Sequence, residues 1–354
     1  MNDKKWMIYG ANGFSGQLAV EEAVRRGLNP VLAGRSKSIE SLAKEKGLES
    51  RIFSLSTVNE VASQIKGMSV VANCAGPFSA TAEVMIQACM QARVHYIDIT
   101  GEISIYDYAN QCDKKALSAG IVLCPGVGSD VIPTDCLAAY LKDRHPESTH
   151  LAMAWHTQGS KASKGTAKTS AQGLFLGGKV RENGKIIQVP LAFKERKIDF
   201  GIGQYNAMTI PWGDVFTAYH STGIPNIEFY FSRSPKAVKK IKRYQRFLYL
   251  FKSKWVIKMI QNRIERKWKN PTPEIRKEGK SFFWGEAKDD KGKVLTARFS
   301  TGDGYDVTAV GVVVVSEYLL QDHNHKGYYT PSILMGKELV KQMPGYSGIE
   351  FSDE

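Results

Sequence analysis

The seven residues Gly10-Ala11-Asn12-Gly13-Phe14-Ser15-Gly16 constrain this chain more than any other stretch. They follow a short apolar run, Trp6-Met7-Ile8-Tyr9, and precede Leu18, Ala19, Ala23 and Val24 at helical spacing. That order reads strand, glycine turn, helix. The first glycine permits a tight exit from the strand, the second lets backbone approach a pyrophosphate, and the third lets helix and strand pack closely. A helix opening there turns unpaired N–H groups and its positive dipole end toward phosphate. The G-x-x-G-x-x-G spacing differs from the commonest dinucleotide fingerprint, so the flanking strand and helix carry the inference. Gly10, Asn12, Gly13, Phe14, Ser15 and Gly16 are the candidate nucleotide contacts of this turn.

The next strand selects the nucleotide. Pro30-Val31-Leu32-Ala33 reads as strand two and ends in Gly34-Arg35-Ser36-Lys37. An NAD-type site places an acid about 20 positions after the glycines, to bond the ribose 2′-hydroxyl. Here Arg35 stands 19 positions after Gly16. A guanidinium grips a 2′-phosphate that a carboxylate would repel, and the Ser36 hydroxyl adds a donor. The expectation is NADP rather than NAD.

Residues 1–75 keep a βαβαβ rhythm. Helical patterns at Ser38–Lys46 and Val58–Ile65 alternate with apolar runs at Arg51–Leu55 and Val70–Ala75. Strands apolar on both faces, alternating with helices, mean a parallel sheet. Ala82–Ala92 (helix), His95–Ile99 (strand), Ile105–Ala119 (helix) and Ile121–Cys124 (strand) continue it. Turns after the later strands belong to the carboxyl edge, where open α/β sheets bind ligands. They place Ala75-Gly76-Pro77-Phe78 and Gly101-Glu102 beside the ribose and nicotinamide. After the helix Ile132–Leu141 the pattern changes to longer strands with hairpin signals, Asn183-Gly184 and Asp289-Asp290-Lys291-Gly292. Val307–Leu320 mixes a β-branched run with helical spacing and reads as a buried helix. The predicted fold class is α/β. A Rossmann doubly wound parallel sheet (1–130, with 306–354 returning to it) is joined to an α+β domain with a largely antiparallel sheet (131–305).

The chain has 354 residues and a formal net charge of +13, and most of that charge is local. Lys236 to Lys269 holds thirteen Lys or Arg and one acid, Glu265. Ile241, Tyr244, Leu248, Phe251, Trp255 and Met259 recur three or four apart among them, and Phe247, Leu250, Ile257, Ile260, Ile264 and Trp268 widen the apolar face. A basic amphipathic helix of this kind suits an anionic membrane surface, a lid over an acyl chain, or packing on the second domain. One local cluster does not make a nucleic-acid binder, and none is expected. The five cysteines lack metal spacing and fall in apolar patterns, which reads as reduced thiols in a cytoplasmic protein. Neither a signal peptide nor a spanning stretch is evident, and no metal site is expected.

Several strings together resemble the saccharopine dehydrogenase-like NADP-binding family. They are Gly10–Gly16, Ala33-Gly34-Arg35-Ser36, Asn73-Cys74-Ala75-Gly76-Pro77-Phe78 and Tyr96-Ile97-Asp98-Ile99-Thr100-Gly101-Glu102. Gly128-Ser129-Asp130-Val131-Ile132-Pro133-Thr134-Asp135, Gly165-Thr166-Ala167, Trp212-Gly213-Asp214 with Thr217-Ala218-Tyr219, and Gly304-Tyr305-Asp306-Val307-Thr308 are similar to its trans-acting enoyl reductase and saccharopine dehydrogenase-like oxidoreductase branch. One departure is visible. The branch usually reads Gly-Phe-Asp-Ser where this chain reads Gly128-Ser129-Asp130-Val131, so the serine after the aspartate is lost. The resemblance implies NADP-linked reduction, but no settled catalytic set.

The expected chemistry is hydride transfer to a conjugated carbon–carbon double bond of a lipid-like or polyketide-type acyl substrate. The protein would orient the substrate and supply a proton. Asp130, Tyr219 and His220 are the candidate donors, against ordinary roles as helix cap or packed aromatic. The Tyr-x-x-x-Lys pair of short-chain dehydrogenases occurs nowhere in the chain. Amino-acid imine reduction, of the saccharopine or carboxynorspermidine kind, is a second enzymatic reading. A non-catalytic NADP-holding scaffold bound to a membrane or partner is a third. A homo-oligomer, cytoplasmic and at the membrane periphery through 236–269, completes the expectations.

Overall fold

In the computed structural model the described residues are 4–173, 177–248, 254–321 and 323–353. They divide into two compact units, Met1–Ile132 with Tyr305–Met343, and Pro133–Gly304 with Pro344–Glu354.

The chain enters the first unit with β1 (Lys5–Tyr9), α1 (Phe14–Arg25), β2 (Val31–Gly34), α2 (Ser38–Lys46), β3 (Ser50–Ile52) and α3 (Val58–Ile65). It continues with β4 (Met68–Asn73), α4 (Phe78–Ala92), β5 (His95–Asp98), α5 (Ile103–Gln111), α6 (Asp113–Ala119) and β6 (Val122–Cys124). Helix α7 (Ile132–Arg144) leads into the second unit, with β7 (His150–Gln158), α8 (Lys164–Gly173), β8 (Gly178–Glu182), β9 (Lys185–Val189), β10 (Glu195–Asp199) and β11 (Gln204–Thr209). There follow α9 (Asp214–Thr222), β12 (Asn226–Ser232), α10 (Pro235–Leu248), α11 (Lys254–Lys267), α12 (Pro273–Glu278), β13 (Lys280–Lys288) and β14 (Val294–Thr301). Helix α13 (Gly304–Leu320) and β15 (Gly327–Tyr328) return to the first unit, followed by α14 (Pro331–Met335), and β16 (Glu350–Asp353) ends the chain.

The first unit carries a seven-stranded parallel sheet in the order β15-β6-β5-β4-β1-β2-β3. Strands β1, β2 and β4 are buried on both faces, as parallel strands covered by helices are. Register aligns their carboxyl ends, with Tyr9 opposite Ala33 and Asn73, and Asn73 opposite Asp98. One core of Met7, Ile65, Val71, Met85, Ile86 and Tyr96 fills the space under these helices. The predicted Ile105–Ala119 helix is two helices that meet at Cys112, where the backbone leaves α5 with ψ near zero. Helix α13 is buried almost all round, which explains how Val312–Val315 stays helical. Burial on every side leaves no polar face for a strand-like alternation to serve.

The second unit carries a nine-stranded sheet, β10-β11-β12-β7-β13-β14-β16, with the β8–β9 hairpin attached to β12. Only the β12–β7 pairing is parallel among its described strands. The Asn183-Gly184 hairpin forms with both residues at positive φ, the two-residue geometry that suits strand twist. Strand β14 alternates between buried and half-buried residues. The segment 344–354, assigned by the sequence to the first unit, lies on the second, because β16 pairs with β14. All five cysteines are buried free thiols. Among the described residues no helix is long and apolar enough to cross a membrane, and no three His, Cys, Asp or Glu gather as a metal site.

Candidate functional site

The carboxyl edge of the parallel sheet gathers most of the predicted site residues of the first unit. Gly10 leaves β1 with φ +82°, and its N–H donates to the Ala33 carbonyl at 2.7 Å. A Cβ at Gly10 would fall 2.8 Å from the Ala75 nitrogen, and one at Gly16 would collide with the Gly10 carbonyl oxygen. Glycine is therefore dictated at both positions by packing, and at Gly10 also by backbone angle. Gly13 N–H donates to the Gly10 carbonyl at 2.9 Å and closes the turn. Helix α1 then starts with no side-chain cap and no acid in its first turn. Its leading amides are left for an anion.

Beside the turn, the exposed Asn12 donates through Nδ2 to Ser38 Oγ at 3.0 Å. The Ser36 and Ser38 hydroxyls lie 3.0 Å apart. Between them and β2 stands Arg35, exposed and with no acidic partner among the described residues. Two hydroxyls and a bare guanidinium make a phosphate-sized donor set. Sequence reading named Arg35 and Ser36, but the Asn12–Ser38 link needed the fold, because the two residues are far apart in sequence.

The β4 end is held from within. Buried Asn73 accepts the Ala75 N–H at 3.1 Å and reaches Thr81 Oγ1 at 3.3 Å. The Gly76–Pro77 peptide is cis, and Phe78 opens α4. Glu102, expected beside the ribose and nicotinamide, has backbone partners at this edge. Its two carboxylate oxygens accept the N–H groups of Phe78 at 2.9 Å and Ser79 at 3.1 Å. An acid there satisfies the first-turn amides and the dipole of α4, which accounts for its position. Glu102 thus braces the Ala75–Phe78 loop.

Asp98 is a site residue that the sequence reading did not single out. It is fully buried and accepts Tyr96 OH at 2.6 Å and the N–H groups of Thr100 and Gly126 at 2.9 Å each. Burial pushes its carboxyl up to about 6 despite these donors. It ties the loop after β5 to the loop after β6. An acid between Ile97 and Ile99 at the end of an apolar strand was the available signal.

Asp130 stands at the same edge, against Gly101. A Cβ at 101 would lie 2.9 Å from Asp130 Oδ2, so the glycine makes room for the carboxyl. Asp130 keeps partial access to solvent, yet desolvation lifts its pKa to about 7. Next to it the Ser129 N–H donates to Thr308 Oγ1 at 3.1 Å. The Tyr305 ring meets Phe14 edge-on at 4.9 Å between centroids. The start of α13 thereby touches both the glycine turn and the loop after β6.

Tyr219 and His220 lie in the second unit, on α9. The Arg181 guanidinium stacks on Tyr219 at 4.1 Å, and His220 stacks on Phe216 at 4.7 Å. Both are half-buried, and their rings meet edge-on at 6.0 Å between centroids.

Residues 6–124 match the family model described as the saccharopine dehydrogenase NADP binding domain. The human saccharopine dehydrogenase-like oxidoreductase is 28% identical over 162 residues, which cover 39% of this chain and 37% of that protein. The trans-acting enoyl reductase of Mycobacterium ulcerans is 27% identical over 191 residues, 47% of this chain and 44% of that protein. The chain thus aligns with less than half the length of either relative. Among solved structures, apo saccharopine dehydrogenase (L-Glu forming) from Saccharomyces cerevisiae superposes with a TM-score of 0.67. That match covers 99% of this chain and 100% of the other at 12% identity, a likeness of fold.

Proposed function

We propose that the chain, whose residues 6–124 match the saccharopine dehydrogenase NADP binding domain model, reduces the enoyl double bond of a lipid-like or polyketide-type acyl substrate with NADPH. The observation that carries the reading is Asp130, a carboxyl packed against Gly101 at the sheet's carboxyl edge with a pKa of about 7. The turn fits NADP: α1 opens with no side-chain cap and no acid in its first turn, and Arg35 is exposed with no acidic partner among the described residues. Gly10–Gly16 with the α1 amides would hold the pyrophosphate, and Arg35 with Ser36 and Ser38 the 2′-phosphate. Bound NADPH supplies a hydride. With its pKa lifted to about 7, Asp130 keeps a proton on a large share of its carboxyls at neutral pH and can deliver it to a carbon or enolate oxygen that gains charge. Asp98 and Glu102 keep the two loops at this edge in place.

Imine reduction of amino acids would place a dicarboxylate against free arginines. Three of those in the second unit outside the basic segment are engaged. Arg196 pairs with Glu286 at 2.8 Å, Arg298 bonds Asp199 and Glu350, and Arg181 donates to the carbonyls of Val215 and Gly184. This favours the acyl substrate. The test is NADPH oxidation across two panels, enoyl thioesters and 2-oxo acid/amine pairs. Turnover confined to enoyl thioesters is the expected result. Turnover confined to the second panel selects imine reduction, and tight NADPH binding with no turnover on either selects a scaffold.

A further inference from the structure

We propose that the outer face of α11 docks on an anionic phospholipid bilayer. Lys258, Met259, Asn262, Arg263, Arg266 and Lys267 line a single hollow of about 640 Å³. Their spacing, i, i+1, i+4, i+5, i+8 and i+9, is one stripe along the helix. Four of the six are cations, and Met259 is 50% exposed between them.

The opposite side is already committed. Glu265, the one acid of the segment, reaches Lys164 and Lys168 of α8. Trp268 Nε1 donates to the Ala162 carbonyl at 2.6 Å, and Ile260 and Ile264 are half-buried. The packing role foreseen for the segment therefore uses one face of α11 and leaves the cationic stripe over. On α10, Val238 is buried against Ala192 and Met208 while Tyr244 is 49% exposed. Lys242 is the one described cation of the two helices with a carboxylate partner, Glu195 at 2.7 Å. The side chains of Phe247, Leu248, Leu250, Phe251, Trp255 and Ile257 lie outside the described residues.

An acid-free row of cations needs anions opposite it, and an exposed thioether among them needs somewhere apolar to go. A phospholipid surface offers phosphates and acyl chains within the same few ångströms of depth, so both demands are met at once. A nucleic-acid backbone meets the first and gives Met259 nothing. Each cation near such a surface changes partition by about fivefold, so four together change it by roughly several hundredfold.

The experiment is co-sedimentation of the full chain with vesicles of phosphatidylcholine, alone or mixed with phosphatidylserine. The wild type should pellet only with phosphatidylserine and be released by salt. Lys258→Gln, Arg263→Gln, Arg266→Gln and Lys267→Gln combined should abolish pelleting while NADPH binding is kept, which reports a folded chain. Met259→Asp alone should weaken it with every cation retained. Equal pelleting of the neutralised chain, equal pelleting with phosphatidylcholine alone, or capture by a single-stranded oligonucleotide without vesicle binding would each overturn the proposal. No part of this readout depends on the reaction assigned above.

Discussion

Gly101 and Asp130 are in contact at the carboxyl edge, with room for no atom beyond the glycine's own hydrogens: a Cβ at 101 would approach Oδ2 to 2.9 Å. Desolvation there lifts the Asp130 carboxyl to about 7. A proton donor must be protonated, so kcat should be level below pH 7 and fall above it. Asp130→Asn should lower kcat by about 10²–10⁴ and leave the NADPH Kd unchanged, as for a removed general acid. Unchanged turnover in the variant would give the proton to another group. Gly101→Ala should lower kcat as well, by displacing the carboxyl.

The proposed 2′-phosphate role of Arg35 predicts a difference between the two pyridine nucleotides. Arg35 is exposed at the end of β2, and Ser36 and Ser38 stand by it. A charge-assisted bond contributes about 1.5–3 kcal/mol, so Arg35→Ala should weaken NADPH by roughly ten- to a hundredfold and NADH hardly at all. Calorimetric titration with both nucleotides checks this. Equal losses would mean that the guanidinium faces something other than the 2′-phosphate.

Glu102 separates a brace from a ligand. Its carboxylate caps Phe78 and Ser79 at the start of α4. Loss of such a cap costs about 1 kcal/mol. Glu102→Ala should therefore lower the unfolding midpoint, with an NADPH affinity that moves less than in Arg35→Ala. A drop in affinity as large as that of Arg35→Ala, with stability intact, would return Glu102 to the cofactor.

What could be read in the sequence follows from what is local. The Gly10–Gly16 turn, Arg35 and the apolar strands each declare themselves within a few residues, because turn angle, charge and two-sided burial are local demands. Val312–Val315 shows the limit of propensity: burial all round α13 overrode β-branching. Strand β16 was hidden because Glu350-Phe351-Ser352-Asp353 is polar and mostly exposed, and only its pairing with β14 makes it a strand. Glu102 looked like a ligand since its partners, the amides of α4, carry no side-chain signature. The Asp98 hub showed in the sequence only as an acid ending an apolar strand, as two of its three donors are backbone N–H groups.

Asp98 should leave a pH signature on stability. Its carboxyl sits at about 6 in the folded chain, against about 3.9 in an unfolded one. The folded state therefore holds the proton more tightly. The stabilisation this gives is complete below the unfolded value, shrinks as pH rises between the two, and is gone above about 6. The span corresponds to roughly 3 kcal/mol. Asp98→Asn keeps an oxygen for the Thr100 and Gly126 amides and an N–H for the Tyr96 hydroxyl, but cannot ionise. Denaturant unfolding of both chains at pH 4.5 and pH 7.5 gives the comparison. The variant's stability relative to wild type should improve at the higher pH, by about 2 kcal/mol, since pH 4.5 already lies above the unfolded value. A difference that does not change between the two pH values would mean that Asp98 stays ionised throughout, with its three donors outweighing the burial.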